Sequence, residues 1–395
     1  MARPQLGRHG PRRCPAPVER HGTRRVEGHR PRQGSFVPGR LGRPPLPDHS
    51  RTDRQFERRP TRRPDRTPVH GARLRAQDGS NAVGAGGTRG HPASAAPPAV
   101  RQLRLELAGH RRPARHRLFG SRGLYCYTLD GTLVWQKDFG PLRMYNNFGE
   151  GAWTVLDGNT LVVVFDHEGE SFLIAVDKTT GRELWRTPRQ GNTNWSGPYV
   201  TTYNGRKQVI VSASREAVGY DLETGRRLWS ARGLGQNTIP APVAADGLVF
   251  VMSGFRDPNL MAIRLGRDGD LTGTDAIVWQ NQRGNSYSAS PVLHDGTLYV
   301  LTDTGMLSAF DAKTGTPYYQ QMRLPRPYNF KSSPVGANGK LYLASENGDV
   351  IVVKMGRTFE VLATSTLQDQ VFIATPAIVD GEIYLRGENT LFCIR

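Results

Sequence analysis

The chain has 395 residues and a formal net charge of +18. The excess lies in residues 1–117, which contain 27 Arg, no Lys and 8 acidic residues, whereas residues 118–395 have a net charge of −1. The charge of residues 118–395 therefore indicates no polyanionic partner. Because the chain has no run of about 18 apolar residues, the sequence also excludes a membrane-spanning helix.

Residues 1–117 combine Arg, Pro and Gly with two Phe as their only aromatic residues. This composition cannot bury enough apolar surface to offset the entropy of ordering, so we predict that the segment is disordered. Arg without Lys, among Pro, Gly, Ala and His, is typical of GC-rich DNA read in a shifted frame, and we hypothesise an out-of-frame translation. The alternatives are a genuine basic tail and an Arg-rich nucleic-acid-binding arm, although such arms usually interleave aromatic residues. The N-terminus shows no usable export signal.

A short motif recurs along the rest of the chain, in which a small residue and Pro precede an apolar run. The five copies are Gly197-Pro198, Ala241-Pro242, Ser290-Pro291, Ser333-Pro334 and Thr375-Pro376. Successive Pro residues are 44, 49, 43 and 42 positions apart. A nearly fixed period of this length is typical of repeat folds, including propellers.

A second motif, Asp-x-x-Thr-Gly followed closely by an aromatic residue, accompanies the first. Complete copies are Asp177–Gly181 before Trp185, Asp221–Gly225 before Trp229, and Asp311–Gly315 before Tyr319. Between the motifs, apolar and polar residues alternate, and Asp-Gly or Asn-Gly pairs mark tight hairpins. Four short strands per period, with no helical pattern, predict the blades of a β-propeller. We interpret each repeated Trp as a wedge between neighbouring blades.

The segment Ala175–Trp185 resembles the pyrroloquinoline-quinone-like (PQQ-like) propeller repeat, Ala-x-Asp-x-x-Thr-Gly-x-x-x-Trp, at every fixed position. Phe119–Tyr127 and the lengthened unit at 262–275 are similar to exported bacterial proteins of this class. The resemblance implies an all-β PQQ-like propeller of four-stranded blades over residues 118–395 and an extracytoplasmic location. Such propellers commonly have eight blades. The repeats here predict about six to seven, including a partial blade at 119–139 and a two-stranded end at 376–395, so we expect an incomplete propeller.

The repeat is shared with quinone-dependent dehydrogenases, and the resemblance implies that such enzymes hold PQQ with Ca²⁺ and a pair of adjacent Cys. This sequence contains no Cys-Cys dipeptide and no CxxCH haem motif. We therefore expect no cofactor and no catalytic residues. A PQQ-dependent oxidoreductase, or a fragment of one, is the alternative.

A calcium loop is the candidate metal site. Asp268, Asp270 and Thr272 match the first half of an EF-hand loop. The bidentate Glu expected eleven residues after Asp268 is replaced by Trp279, which removes the strongest ligand. We interpret the stretch as a solvated insertion between strands, with a calcium site as the alternative.

The segments before each Pro motif should join the outer strand of one blade to the inner strand of the next, and so ring one mouth of the central channel. They are rich in amides and aromatic residues, and loops held on a rigid scaffold are common binding sites. The candidate residues are Asn146, Asn147, Asn194, Trp195, Asn237, Asn285, Tyr287, Tyr328, Asn329, Lys331, Gln370 and Phe372. The alternative is that these side chains satisfy turn amides and pack neighbouring blades.

These observations predict a non-catalytic binding or scaffold protein. Its ligand would be a protein, peptide or polymer, bound through loops at the channel mouth or at an exposed strand edge. The first alternative, a PQQ-dependent oxidoreductase, predicts stoichiometric quinone binding with dye reduction. The second, nucleic-acid binding through residues 1–117, predicts steep salt dependence.

Overall fold

A computed structural model of the chain describes residues 103–105, 114–151 and 153–395. These residues form seven β-sheets and two short 3-10 helices, Gly120–Arg122 and Tyr145–Asn147. The predicted all-β propeller of six to seven blades is confirmed, and each sheet is one blade. The predictions that residues 1–117 are disordered or translated out of frame lie outside the described residues, apart from 103–105 and 114–117.

In each blade the chain runs outward from an inner strand through antiparallel neighbours. Blade 1 contains β1–β4, at Leu103–Leu105, Ala114–Leu118, Leu124–Thr128 and Leu133–Lys137. Blade 2 contains β5–β8, at Trp153–Asp157, Thr160–Phe165, Phe172–Asp177 and Glu183–Pro188. Blade 3 contains β9–β12, at Tyr199–Tyr203, Arg206–Ser212, Glu216–Asp221 and Arg227–Arg232.

Blade 4 contains β13–β15 and β17, at Val243–Ala245, Leu248–Ser253, Asn259–Arg264 and Ile277–Asn281. The two-residue strand β16, Gly269–Asp270, lies in its insertion and pairs in parallel with β12 of blade 3. Blade 5 contains β18–β21, at Val292–His294, Thr297–Leu301, Met306–Asp311 and Pro317–Arg323. Blade 6 contains β22–β25, at Val335–Ala337, Lys340–Ala344, Asp349–Lys354 and Val361–Thr366. Blade 7 contains β26–β28, at Ala377–Val379, Glu382–Arg386 and Leu391–Ile394.

The first and last blades are larger than the sequence predicts. Blade 1 has four strands, because β1 and most of β2 lie before residue 118, and blade 7 has three strands where two were expected. In β2, Ala114, His116 and Leu118 are buried while the two intervening Arg residues are only partly so. His116 Nε2 donates a hydrogen bond to the Lys178 carbonyl of blade 2 (2.6 Å). Although this stretch is rich in Arg, buried and partly exposed residues alternate along it as in an ordinary strand.

The repeated Trp residues join neighbouring blades, as the sequence predicts. In blades 1, 2 and 4 the indole Nε1–H donates to a backbone carbonyl in the turn of the next blade. That carbonyl belongs to the residue directly after the Asp of the turn. The pairs are Trp135 with Lys178 (3.1 Å), Trp185 with Leu222 (2.9 Å) and Trp279 with Ala312 (2.9 Å). The turn Gly lies directly against the ring: a Cβ on Gly225, whose φ is +73°, would be 2.5 Å from Trp185. A larger residue there would be strained and would also displace the ring.

The small residue before each Pro has a specific contact. In blades 4 to 6 its backbone N–H donates to the side-chain hydroxyl at the same position of the next blade. The contacts are Ala241 to Ser290 (2.9 Å), Ser290 to Ser333 (2.9 Å) and Ser333 to Thr375 (3.1 Å). A compact hydroxyl residue at this position therefore holds the inner ends of adjacent blades together.

Replacing Ser333 by Ala should lower the free energy of unfolding by about 1 kcal/mol, because the backbone N–H of Ser290 loses its acceptor. The change is measured by urea denaturation. Ser365→Ala is the matched control, since Ser365 is exposed on outer strand β25 and should have an effect of less than about 0.5 kcal/mol. Equal unfolding curves for the two variants would contradict the role of the contact.

Candidate functional site

The segments that join each outer strand to the next inner strand lie at one end of the propeller, because they all lead into the starts of the inner strands. We call them the mouth loops: residues 138–151, 189–198, 233–242, 282–291, 324–334 and 367–376. All twelve candidate residues lie in these loops.

Hydrogen bonds hold successive mouth loops together. The backbone N–H of Tyr145 donates to the Thr193 hydroxyl oxygen (2.8 Å), and the N–H of Trp195 donates to the Thr238 carbonyl (3.0 Å). The Glu168 carboxylate accepts from both the N–H and the hydroxyl of Thr193 (2.9 and 2.7 Å). The first three loops are therefore linked to one another, once through the Thr193 side chain and once from backbone to backbone.

The backbones also approach closely beside the third and fourth loops. A Cβ on Gly254 would lie 2.2 Å from the Ser286 carbonyl oxygen, and one on Gly235 would lie 2.1 Å from the Arg256 carbonyl oxygen. Only glycine fits at such distances. The third and fourth mouth loops are therefore packed tightly against the connection between β14 and β15.

Three candidate residues lie below this surface. Asn194 Nδ2 donates to the Ser212 carbonyl (2.8 Å), and the Tyr328 hydroxyl donates to Asp349 Oδ2 (3.0 Å). The Phe372 ring is fully buried. For these three residues the contacts agree with the alternative interpretation, in which the candidate side chains pack neighbouring blades and satisfy polar groups of the turns.

The other nine candidates reach the surface to different degrees. Asn146, Asn147, Asn329 and Lys331 are exposed, while Trp195, Asn237, Asn285, Tyr287 and Gln370 are partly exposed. Asn146, Asn147 and Asn237 have φ values of 51°, 54° and 53°, a left-handed conformation that Asn accepts more readily than most residues. At these three positions Asn therefore suits the backbone conformation of the turn. Lys331 Nζ lies 3.8 Å from Asp303 Oδ1.

The most exposed apolar side chains of the mouth are residues that the predicted set leaves out. Tyr145 and Phe148 are 45% and 50% exposed, and Val371 and Ile373 are 37% and 59% exposed. No strand or helix periodicity runs through these loops, so the sequence carries no signal of which side chains face outward.

Tyr145, Phe148 and Trp195 form a continuous aromatic strip across the first two mouth loops. The ring centroids of Tyr145 and Phe148 are 6.2 Å apart, and those of Phe148 and Trp195 are 6.3 Å apart. The Trp195 indole Nε1–H donates to the Gly149 carbonyl (2.8 Å), which fixes the orientation of the ring. A rigid, partly exposed group of aromatic rings is suited to protein recognition.

A buried ion pair lies beneath the second mouth loop. Arg189 Nε is 2.7 Å from Asp166 Oδ1, and both side chains are almost fully buried. Arg189 also donates to the Tyr220 hydroxyl, and these two residues line a cavity of about 260 Å³. Burial alone lowers the pKa of Arg189, but the Asp166 carboxylate and Tyr220 outweigh it, and the pKa is raised. The Arg189 side chain therefore stays positively charged inside the fold.

The candidate calcium residues contact two arginines of blade 3. Asp268 pairs with Arg206 (3.2 Å), and Asp270 lies 3.7 Å from Arg232. Thr272 donates its hydroxyl to Asp270 and accepts the backbone N–H of Arg232 (3.0 Å). In the described part of the chain, no three His, Cys, Asp or Glu side chains lie together as metal ligands would.

The fold and the inter-blade contacts define a PQQ-like β-propeller repeat protein. A family model described as outer membrane protein assembly factor BamB matches residues 122–356 and 267–391, so the chain belongs to this family. Over the described ranges, no helix has the length and apolar character that crossing a membrane requires.

Individual relatives differ in name. BamB of Yersinia pestis is 22% identical over 320 residues, covering 66% of this chain and 78% of that protein. Tetrathionate hydrolase of Acidithiobacillus ferrooxidans is 26% identical over 251 residues, or 59% of this chain, and BamB of Burkholderia pseudomallei is 27% identical over 199 residues, or 48%. The matched part is 48% of the length of each of the latter two proteins.

Solved structures show the same architecture at low identity. BamB of Moraxella catarrhalis has a TM-score of 0.52 and 13% identity, with 71% of this chain and 80% of that chain covered. Sqt1 of Saccharomyces cerevisiae has a TM-score of 0.54 and 12% identity, with 69% and 78% covered. These likenesses concern the fold alone.

Proposed function

We propose that this chain is a non-catalytic scaffold that binds a protein partner through its mouth loops. The observation that carries the proposal is the aromatic strip of Tyr145, Phe148 and Trp195, which is exposed on loops fixed by hydrogen bonds. Exposed aromatic side chains on a rigid support are enriched among the residues that dominate protein interfaces. They lose little conformational entropy when a partner covers them.

Membership of the BamB family supports both the kind of partner and the compartment. Relatives over half or more of this chain are named outer membrane protein assembly factors. A role in that process involves other proteins as partners and places the propeller outside the cytoplasm. We extend both properties to this chain as part of the proposal.

Partner binding is tested with an outer-membrane β-barrel protein diluted from urea into a solution of the full chain. Phe148→Ala should weaken the measured affinity about tenfold, because it removes the central ring of the strip. Leu184→Ala is the control, since Leu184 is 39% exposed on outer strand β8, away from the mouth loops. Equal affinities for the two variants would refute mouth binding.

The similarity to tetrathionate hydrolase favours an enzyme as the second candidate. Two assays separate it from the scaffold: turnover of tetrathionate, and dye reduction after titration with PQQ and Ca²⁺. The scaffold proposal predicts neither activity, and no cofactor. Against a calcium site in the loop, Asp268 and Asp270 are paired with Arg206 and Arg232, and Thr272 accepts the backbone N–H of Arg232.

A further inference from the structure

The cavity of about 260 Å³ between blades 2 and 3 has no part in the function proposed above. Its lining comes from the end of β8 and the residues after it, and from β11 and β12, and includes Pro188, Arg189, Gln190, Glu216, Tyr220 and Arg227. Arg189 and Tyr220 are buried, whereas Pro188, Gln190 and Arg227 are exposed. The cavity therefore has a buried polar end and a rim at the surface. Pockets for drug-sized ligands measure about 300–1,000 Å³, so this cavity suits a smaller molecule.

The buried end of the cavity holds hydrogen-bond donors that the fold does not use. Arg189 donates once from Nε and once from Nη2 to Asp166 (2.7 and 2.8 Å), and once from Nη1 to the Tyr220 hydroxyl. Each Nη carries a second N–H, and neither of these has an acceptor among the described residues. The Tyr220 hydroxyl likewise donates to none of them, and burial raises the pKa of Tyr220, so the proton is kept at neutral pH. Because a buried donor without an acceptor costs free energy, these three donors favour a ligand with acceptor oxygens.

Nearer the rim, the cavity has a carboxylate oxygen to which the fold supplies no donor. Glu216 Oε2 accepts from Arg227 Nη2 (3.0 Å), whereas Glu216 Oε1 accepts from none of the residues that the structure describes. The Glu216 side chain is 24% exposed, so a ligand can reach this oxygen. An ammonium group is the donor that a carboxylate oxygen binds most strongly, because both partners are charged.

The charges at the cavity restrict the ligand further. The two ion pairs there, Arg189–Asp166 and Arg227–Glu216, sum to zero charge. A simple anion or cation would add a charge that no group in the cavity compensates, and burying such a charge is costly. A ligand with one negative and one positive group adds no net charge, and it can satisfy the donors at the buried end and the acceptor near the rim together.

We propose that this cavity binds a small zwitterion, a free α-amino acid, through both of its charged groups. The ligand carboxylate accepts from the two remaining Nη–H groups of Arg189 and from the Tyr220 hydroxyl, a set of donors that suits a planar carboxylate. The ligand ammonium donates to Glu216 Oε1. This site is separate from the aromatic strip, so the proposal does not depend on partner binding there.

The test titrates L-valine, and in parallel glycine, which has no side chain to exclude, into the full chain by isothermal titration calorimetry. Saturable binding of one amino acid per chain is expected. Two analogues separate the charged groups: N-acetyl-L-valine keeps only the carboxylate, as a protein C-terminus does, and L-valine amide keeps only the ammonium, as an N-terminus does. Each analogue should bind at least about tenfold more weakly than L-valine, because one half of the site loses its partner.

Two substitutions address the two ends of the cavity. Tyr220→Phe removes a donor to the carboxylate and should weaken L-valine binding about tenfold. Glu216→Gln should weaken it similarly and should also abolish the preference for L-valine over N-acetyl-L-valine, because the ammonium loses its charged partner. Glu216 is partly exposed, so this variant should fold even if Tyr220→Phe does not. Glu223→Gln is the matched control, since Glu223 is exposed in the turn between β11 and β12, and it should leave binding unchanged.

Three results would overturn this assignment. The first is that neither L-valine nor glycine binds saturably. The second is that N-acetyl-L-valine or L-valine amide binds as tightly as L-valine, which would make the ligand a simple carboxylate or a simple amine. The third is that Glu216→Gln binds L-valine as Glu223→Gln does. Phe148→Ala should leave valine binding unchanged, so failure of this proposal is distinguishable from failure of mouth binding.

Discussion

Replacing Asp166 by Asn should lower the free energy of unfolding by about 3–5 kcal/mol. Arg189 would remain buried without its counter-charge, since its Nε and Nη2 both donate to this carboxylate (2.7 and 2.8 Å). Tyr220 and Asn194 contact the same pair, so the loss extends to the base of the second mouth loop. Urea denaturation at neutral pH measures the change.

Glu183→Gln is the matched control for this variant. Glu183 pairs with Arg186 at 3.0 Å, but both side chains are about one-third exposed. Water screens such a pair, so the expected loss is less than about 1 kcal/mol. If Asp166→Asn unfolds at the same urea concentration as Glu183→Gln, the buried pair does not stabilise the fold as we infer.

Trp229→Ala should have a comparable cost of about 3–5 kcal/mol, because it leaves a large cavity between blades 3 and 4. Trp229 is 1% exposed, and its Nε1–H donates to Gln208 Oε1 within its own blade (2.9 Å). Leu271 and Ala276 of the blade 4 insertion pack in the same core. Thermal or urea unfolding of the purified variant measures the effect.

Trp229→Phe and Leu184→Ala are the two controls for that measurement. Phe keeps most of the buried surface and should lose less than half as much stability, while truncation of the exposed Leu184 should cost less than about 1 kcal/mol. A Trp229→Ala variant as stable as Leu184→Ala would show that the insertion, and not the ring, fills the space between the blades.

The architecture was predictable because its signals are local. Turns that need a left-handed residue, such as Gly181 and Gly225, and the Pro period mark each blade without reference to distant residues. The strand β2 was missed because Arg115 and Arg117 dominate its composition, although they alternate with buried residues. Trp229 packs between blades 3 and 4 as predicted, but its indole N–H donates to Gln208 of its own blade and not to a turn of the next blade.

The candidate site was predictable only as a set of loops. Topology places the mouth loops together, but the exposure of each side chain depends on contacts between blades that no short-range pattern records. Asn194 and Phe372 were candidates and are buried, whereas Tyr145 and Ile373 were not candidates and are exposed.

The hydroxyl and indole contacts between blades have a consequence for how the molecule comes apart. Among the described residues, hydrogen bonds join each blade to the next from blade 1 through blade 7. In this respect the ring behaves as a linear array, in which each unit is held by its immediate neighbours. Local opening should therefore spread from a blade to the blades beside it, one unit at a time.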